Sequence, residues 1–151
     1  MKKAILFFLL FFNIYSEEFK EKDIFNIIGF SIDQLIKKYG SPYEVFPLRE
    51  DDAWMDNVVF YYNKSNKYFF LFQNRVWQLR FDYRSKDIIL GYKINQEKKS
   101  ILSIINKNEI NLLHSKDEIV YDLPYQKVPI RVRLIFKDDK LDDIYIYRSD
   151  F

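Results

Sequence analysis

The sequence predicts an α+β fold of two tandem units, each a helix followed by three strands, with antiparallel sheet and the helices packed on one face. Three observations predict it. The stretch Ile28-Gly29-Phe30-Ser31-Ile32-Asp33-Gln34 is echoed by Leu90-Gly91-Tyr92-Lys93-Ile94-Asn95-Gln96, and two of the chain's three glycines hold the matched position. Each copy runs into apolar residues at helical spacing. Each helical stretch is followed by short alternating runs bounded by turn residues. The resulting boundaries are 1–16 for a signal peptide, 17–27 for an N-terminal lead, 28–87 for the first unit and 88–151 for a second, diverged unit.

Residues 17–27 begin charged and end apolar, which predicts a flexible lead and then a short strand or docked arm. Residues 31–39 form the best-marked helix. Ser31 and Gln34 make a capping box, in which the hydroxyl accepts from a backbone N–H one turn in and the Gln side chain reaches back. Ile32, Leu35, Ile36 and Tyr39 give one apolar face. Gly29 precedes the cap, and Gly40 with Pro42 stops the helix. Residues 44–56 read as irregular. Strands are predicted at 57–63, 67–73 and 75–83, the first two joined by Lys64-Ser65-Asn66. In the third, Val76, Gln78, Arg80 and Asp82 alternate with Trp77, Leu79, Phe81 and Tyr83. The second unit opens at Gly91, with a helix over 96–106 and strands at 117–123, 128–137 and 141–148. There Ile130, Val132, Leu134, Phe136, Ile144 and Ile146 face inward, and Arg131, Arg133, Tyr145 and Tyr147 outward.

Residues 1–16 have the form of a secretory signal peptide: Lys2 and Lys3, then an apolar run at 4–12, then a polar break ending in Ser16. As a helix that run rises about 14 Å, roughly half the hydrocarbon thickness of a bilayer, so no spanning segment is predicted. An uncleaved N-terminal anchor is the other reading. Without Lys2 and Lys3 the 24 basic residues become 22, equal to the 22 acidic ones. A neutral mature chain has no concentrated cationic footprint, so nucleic acid is not an expected partner. The chain has no cysteine, which excludes disulfides, thiolate metal sites, a cysteine nucleophile and a lipid-modified N-terminal cysteine. The expected location is periplasmic or secreted, not as a lipoprotein, and with no transmembrane segment after signal cleavage. An aromatic content of 19% supports a packed core rather than disorder.

The chemistry-bearing residues point to binding. His114 stands beside Ser115 with Asp117 and Glu118 nearby, but neighbours in a polar loop rarely give a base facing its nucleophile, so a surface histidine is expected. Asp138, Asp139, Asp142 and Asp143 surround one hairpin without the spacing or glycine of a calcium loop, and a solvated turn is expected there rather than a metal. No phosphate-binding glycine loop is present. No catalytic residue and no cofactor are expected. The run from Tyr61 to Phe70 mixes bases with aromatics, which reads as sheet packing. The constellation that predicts function is the outward face bearing Arg131, Arg133, Tyr145 and Tyr147, with Gln78 and Arg80 from the first unit. Tyrosine and arginine are the residue types that carry interface energy.

Gly29-Phe30-Ser31, Leu35 and Tyr39-Gly40-Ser41-Pro42, followed by Phe70-Leu71-Phe72-Gln73-Asn74-Arg75-Val76, resemble the pattern of the SmpA/OmlA (BamE-like) family and the wider β-lactamase-inhibitor-protein-like fold. The resemblance spans about residues 28–83, and 90–148 more weakly. It implies an envelope protein that acts by binding a protein partner, as an accessory to outer-membrane protein assembly or as a secreted inhibitor of an enzyme. A non-enzymatic, exported protein-binding role is the leading expectation. A hydrolase of unfamiliar type is the alternative, and its mark would be a polar pocket with strongly shifted carboxylates.

Overall fold

The computed structural model describes residues 16–49, 57–105, 113–124 and 128–150. The elements follow in the order β1 (Glu18–Phe19), α1 (Glu21–Ile27), α2 (Ile32–Tyr39), β2 (Glu44–Leu48), β3 (Asn57–Tyr62), β4 (Lys67–Phe72) and β5 (Arg75–Phe81). They continue with β6 (Ile88–Ile89), α3 (Lys98–Ile105), β7 (Leu113–His114), β8 (Glu118–Asp122), β9 (Ile130–Lys137) and β10 (Lys140–Arg148). Eight strands form one antiparallel sheet in the order β2-β3-β4-β5-β10-β9-β8-β7, and β1 pairs in parallel with β6.

This corrects the expected α+β arrangement of two helix-then-three-strand units. The described chain is mostly β, its three helices have only seven or eight residues each, and the strands of both halves belong to one sheet. The reason lies at the strand edges. Were the halves separate, β5 and β10 would each present a row of unpaired N–H and C=O groups. They pair with each other instead, Phe81 with Ile144 and Leu79 with Ile146. Residues 44–48 also form a strand where irregular chain was expected. Pro47 is tolerated there because β2 is an edge strand. The rest of the expected irregular stretch, 50–56, lies outside the described residues, as do 1–15 of the expected signal peptide.

The inward faces share one core. Leu79 and Phe81 from β5, Val132 and Leu134 from β9, and Ile144 and Ile146 from β10 cluster with Ile24 and Ile27 of α1, Leu35 of α2 and Ile101 of α3. The charged start of the chain is no free lead. Phe19 is 1% exposed and its ring lies 5.2 Å from that of Phe81. One alternation differs from the expected one. A register shift between Phe70 and Leu71 puts a bulge at Trp77, so Val76 joins the core with Leu79 and Phe81, while the Trp77 indole donates to Asn57 on the other face.

The helix punctuation around α2 follows local chemistry. Ser31 Oγ accepts from the Gln34 N–H and Gln34 Oε1 accepts from the Ser31 N–H. Lys93 N–H donates to Gln96 Oε1 in the same way. Gly29 and Gly91 have φ of 96° and 85°, so the sequence echo marks two turns of like backbone, and the tandem units expected around them are not found. Gly40 ends α2 with φ 78° and ψ −170°, a region that is almost exclusively glycine's. An added Cβ there meets nothing within 4 Å, so the cost of replacing it is one of backbone strain alone. Gly40→Ala is expected to lower stability by about 1–3 kcal/mol in urea denaturation, with unchanged m-value. An unshifted midpoint would contradict the backbone argument.

Candidate functional site: the arginine and tyrosine face of the sheet

Side chains alternate across a strand, so the residues between core positions project on the opposite face. The pairing register lines them up. Tyr61, Tyr68, Arg80, Tyr145 and Arg133 are successive partners across β3, β4, β5, β10 and β9. Beside this row run Gln78, Tyr147 and Arg131, ending on Asp122 of β8. All six residues expected to form one face are brought together on it.

The guanidinium groups are held. Arg80 lies 5.4 Å from the centroid of Tyr68 and 5.3 Å from that of Tyr145, and it donates to both oxygens of Asp143 at 3.0 and 2.9 Å. Arg131 donates to Asp122 at 2.7 and 3.3 Å, and Arg133 to Glu118 at 2.7 Å. Tyr61 and Tyr68 stack at 4.5 Å. The Tyr68 hydroxyl donates to Asp82, which Arg84 also contacts.

Protonation follows from these contacts. Hydrogen bonds to Asp143 push Arg80 further up. Burial pushes Asp143 up, and the Arg80 contacts pull it back only in part. Burial and the hydrogen bond to Asp82 push Tyr68 up to about 12. Burial acts to raise Asp82, but hydrogen bonds from Arg84 and Tyr68 outweigh it and leave the carboxyl lowered. The arrangement holds its cations at every ordinary pH and offers flat, oriented guanidinium and phenol groups.

The face is not open along its whole length. At the β2–β4 side Asn57, Val59 and Phe70 are buried. The accessible part lies around Arg133 and Arg131 of β9, whose side chains are 49% and 38% exposed. His114 sits on the edge strand β7, opposite Ile119, and Ser115 bonds Glu118 rather than the histidine. Asp138 and Asp139 form the β9–β10 turn with φ of 51° and 58°.

Sequence reasoning missed one constellation. Lys67 is 2% exposed, and its Nζ lies 2.5 Å from Glu17 Oε2 and 3.5 Å from Asp87 Oδ2, under the rings of Phe19 and Tyr39 at 4.5 and 4.9 Å. The three groups border a cleft of about 570 Å³ with Tyr39, Tyr43 and Tyr62 on its walls. Burial pushes Asp87 up, with Glu17 N–H and Lys67 opposing it. A signal was present: Lys67 shares its strand parity with Phe69 and Leu71, both core residues. No sequence pattern could add Glu17 and Asp87, which come from distant segments.

No family profile matches the chain, and no curated protein matches it. Solved structures do resemble it in fold. A Bacillus anthracis extracellular protein containing an SCP domain superposes with a TM-score of 0.56 at 16% identity, over 83% of this chain and 45% of its own. A Staphylococcus aureus cysteine-rich secretory protein gives a TM-score of 0.56 at 15% identity, over 89% of this chain and 48% of its own. A Bacillus subtilis protein of the DUF4309 family gives 0.45 at 14% identity, over 79% and 78%. The chain thus spans less than half the length of each of the first two. The first two neighbours overturn the expected likeness to the SmpA/OmlA (BamE-like) and β-lactamase-inhibitor-protein-like folds. Of the residues behind that likeness, those from Gly29 to Pro42 make a helix cap and stop, and those from Phe70 to Val76 a strand turn, devices that serve any fold with a short helix ahead of a hairpin. What those two neighbours share with this chain is a fold, one that occurs within longer proteins described as extracellular or secretory.

Proposed function

We propose that the protein is an exported, non-enzymatic binding module that takes a protein partner on the arginine and tyrosine face of its sheet. One observation carries this reading: Arg80, Tyr145 and Arg133 stand in a single cross-strand row, with the arginines pre-oriented by Asp143 and Glu118. Pre-oriented side chains lose little entropy on binding, and tyrosine and arginine are the types that dominate interface energy. Export is supported by the form of residues 1–16, and by the extracellular or secretory description of two proteins that share the fold. Among the described residues no helix is long and apolar enough to cross a membrane. The assembly-factor and inhibitor roles rested on the overturned resemblance and are not carried forward.

A photo-reactive residue at Tyr147 should cross-link one protein in the native envelope, while the same residue at Lys37, on α2, should not. Arg133→Ala with Tyr145→Ala should remove the cross-link and leave the melting temperature within a few degrees. Retention of the cross-link in the double variant would end the proposal.

The hydrolase reading has one feature in its favour, the cleft at Glu17, Lys67 and Asp87. There, however, the lysine is engaged by both carboxylates and lies against two rings, so it does not stand free as a base.

A further inference from the structure

We infer that Asp87 is the receptor for the chain's own processed N-terminus: cleavage between Ser16 and Glu17 would set the new α-ammonium of Glu17 on the buried Asp87 carboxylate. The inference rests on the export reading above and extends it to a specific processing site.

Position is the first argument. The Glu17 backbone nitrogen lies 2.9 Å from Asp87 Oδ1. The residue after it is locked in place, because Glu17 O accepts from Ile88 N–H at 2.9 Å, β1 pairs with β6, and Phe19 is buried in the core. The location of that nitrogen is therefore set from its C-terminal side. Ser16 adds one exposed hydrogen bond, from its Oγ to Lys86 O.

Charge is the second argument. Lys67 Nζ lies 2.5 Å from the Glu17 carboxylate, which is 44% exposed, and 3.5 Å from the Asp87 carboxylate, which is 2% exposed, so the buried acid has the longer ion contact. A buried carboxylate needs close charge pairing to offset its desolvation. An α-ammonium at Glu17 adds a closer positive charge at the position that already donates to Asp87.

Hydrogen-bonding capacity is the third. Among the described residues two buried polar side-chain atoms lack a hydrogen-bond partner, Asp87 Oδ2 and Tyr39 OH, and both belong to this cluster. A peptide N–H offers one proton, whereas an ammonium offers three. The same nitrogen can then serve Oδ1 and the orphaned Oδ2. The charged and titratable groups facing the site are Asp87, the Glu17 side chain, Lys67 from β4 and Tyr39 from α2, with Asp23 of α1 beyond Tyr39.

The test uses the full chain expressed with its own export. Intact mass of the exported protein should correspond to a start at Glu17. An exported protein with any other start overturns this inference and leaves the export reading standing, while failure to export ends both. In the exported protein, Asp87→Asn keeps an acceptor for the Glu17 nitrogen but removes the charge. It should lower the melting temperature by several degrees. It should also return the α-amine, followed by its acylation rate against pH, from a raised value to the ordinary ~8. Selective N-terminal acetylation of the wild type should produce the same fall in melting temperature, and Asp87→Asn should then add nothing. Equal α-amine titration in wild type and variant, or an acetylated protein as stable as the free one, would overturn the inference.

Discussion

In the chain that still carries residues 1–16, where the Glu17 nitrogen is an uncharged peptide N–H, Lys67→Met is expected to destabilise the fold by about 3–5 kcal/mol at neutral pH, because it strands Asp87 in the interior without a counter-charge. Lys67 and Asp87 are each 2% exposed, so solvent screens neither, and the lysine also loses its contacts over Phe19 and Tyr39. Glu17, at 44% exposure, can turn to water; Asp87 cannot. The pH dependence has a definite sign. Burial already holds the folded Asp87 above its ordinary value of 3.8, so the folded state binds its proton more readily than the unfolded chain does. Stability tied to this group is greatest at low pH and is lost as pH rises from the ordinary carboxylate value through the raised one. Removal of Lys67 raises that value further. The deficit of Lys67→Met should thus shrink between pH 7 and about 4.5, and Lys67→Met with Asp87→Asn should cost much less than the sum of the singles. Urea denaturation at the two pH values measures both. A deficit that is equal at both, with additive singles, would mean that Asp87 is not its source.

Ile146→Ala should cost about 2–5 kcal/mol and should unfold the whole sheet in one transition. Ile146 is fully buried, and it stands in register with Leu79 of β5 on one side and Val132 of β9 on the other. It therefore lies at the seam between the strands of the two halves. Both tryptophans are in the N-terminal half of the sequence and Trp77 lies on β5, so fluorescence reports that half, while amide exchange of β9 reports the other. A single continuous sheet requires the two probes to shift together. Separate transitions, with only the β9 amides responding to Ile146→Ala, would restore the picture of two independent units.

The strands of both halves were legible because period-two alternation is local. Val132, Leu134, Ile144 and Ile146 were assigned inward from pattern alone and are buried, and Arg131, Arg133, Tyr145 and Tyr147 share the opposite face. The candidate face was legible for the same reason, down to Gln78 and Arg80. Illegible were the bulge at Trp77, which reverses Val76, and the edge strand containing Pro47. A bulge and an edge strand answer to a partner strand, and the sequence of one strand does not name its partner. The Glu17, Lys67 and Asp87 cluster was illegible because strand parity marks only Lys67 as inward, while Glu17 and Asp87 look like ordinary surface charge where they stand in the chain.

By itself, then, the sequence determined the elements held by neighbouring residues: the Ser31 and Gln34 cap, the stop at Gly40, and the alternation of faces along β9. Only the tertiary structure decided that β5 and β10 join both halves into one sheet, and that a lysine, two acids and the backbone of Glu17 meet in its interior. Local hydrogen bonds and side-chain alternation are written within a few residues. Edge pairing and buried charge balance depend on groups some twenty to seventy residues apart.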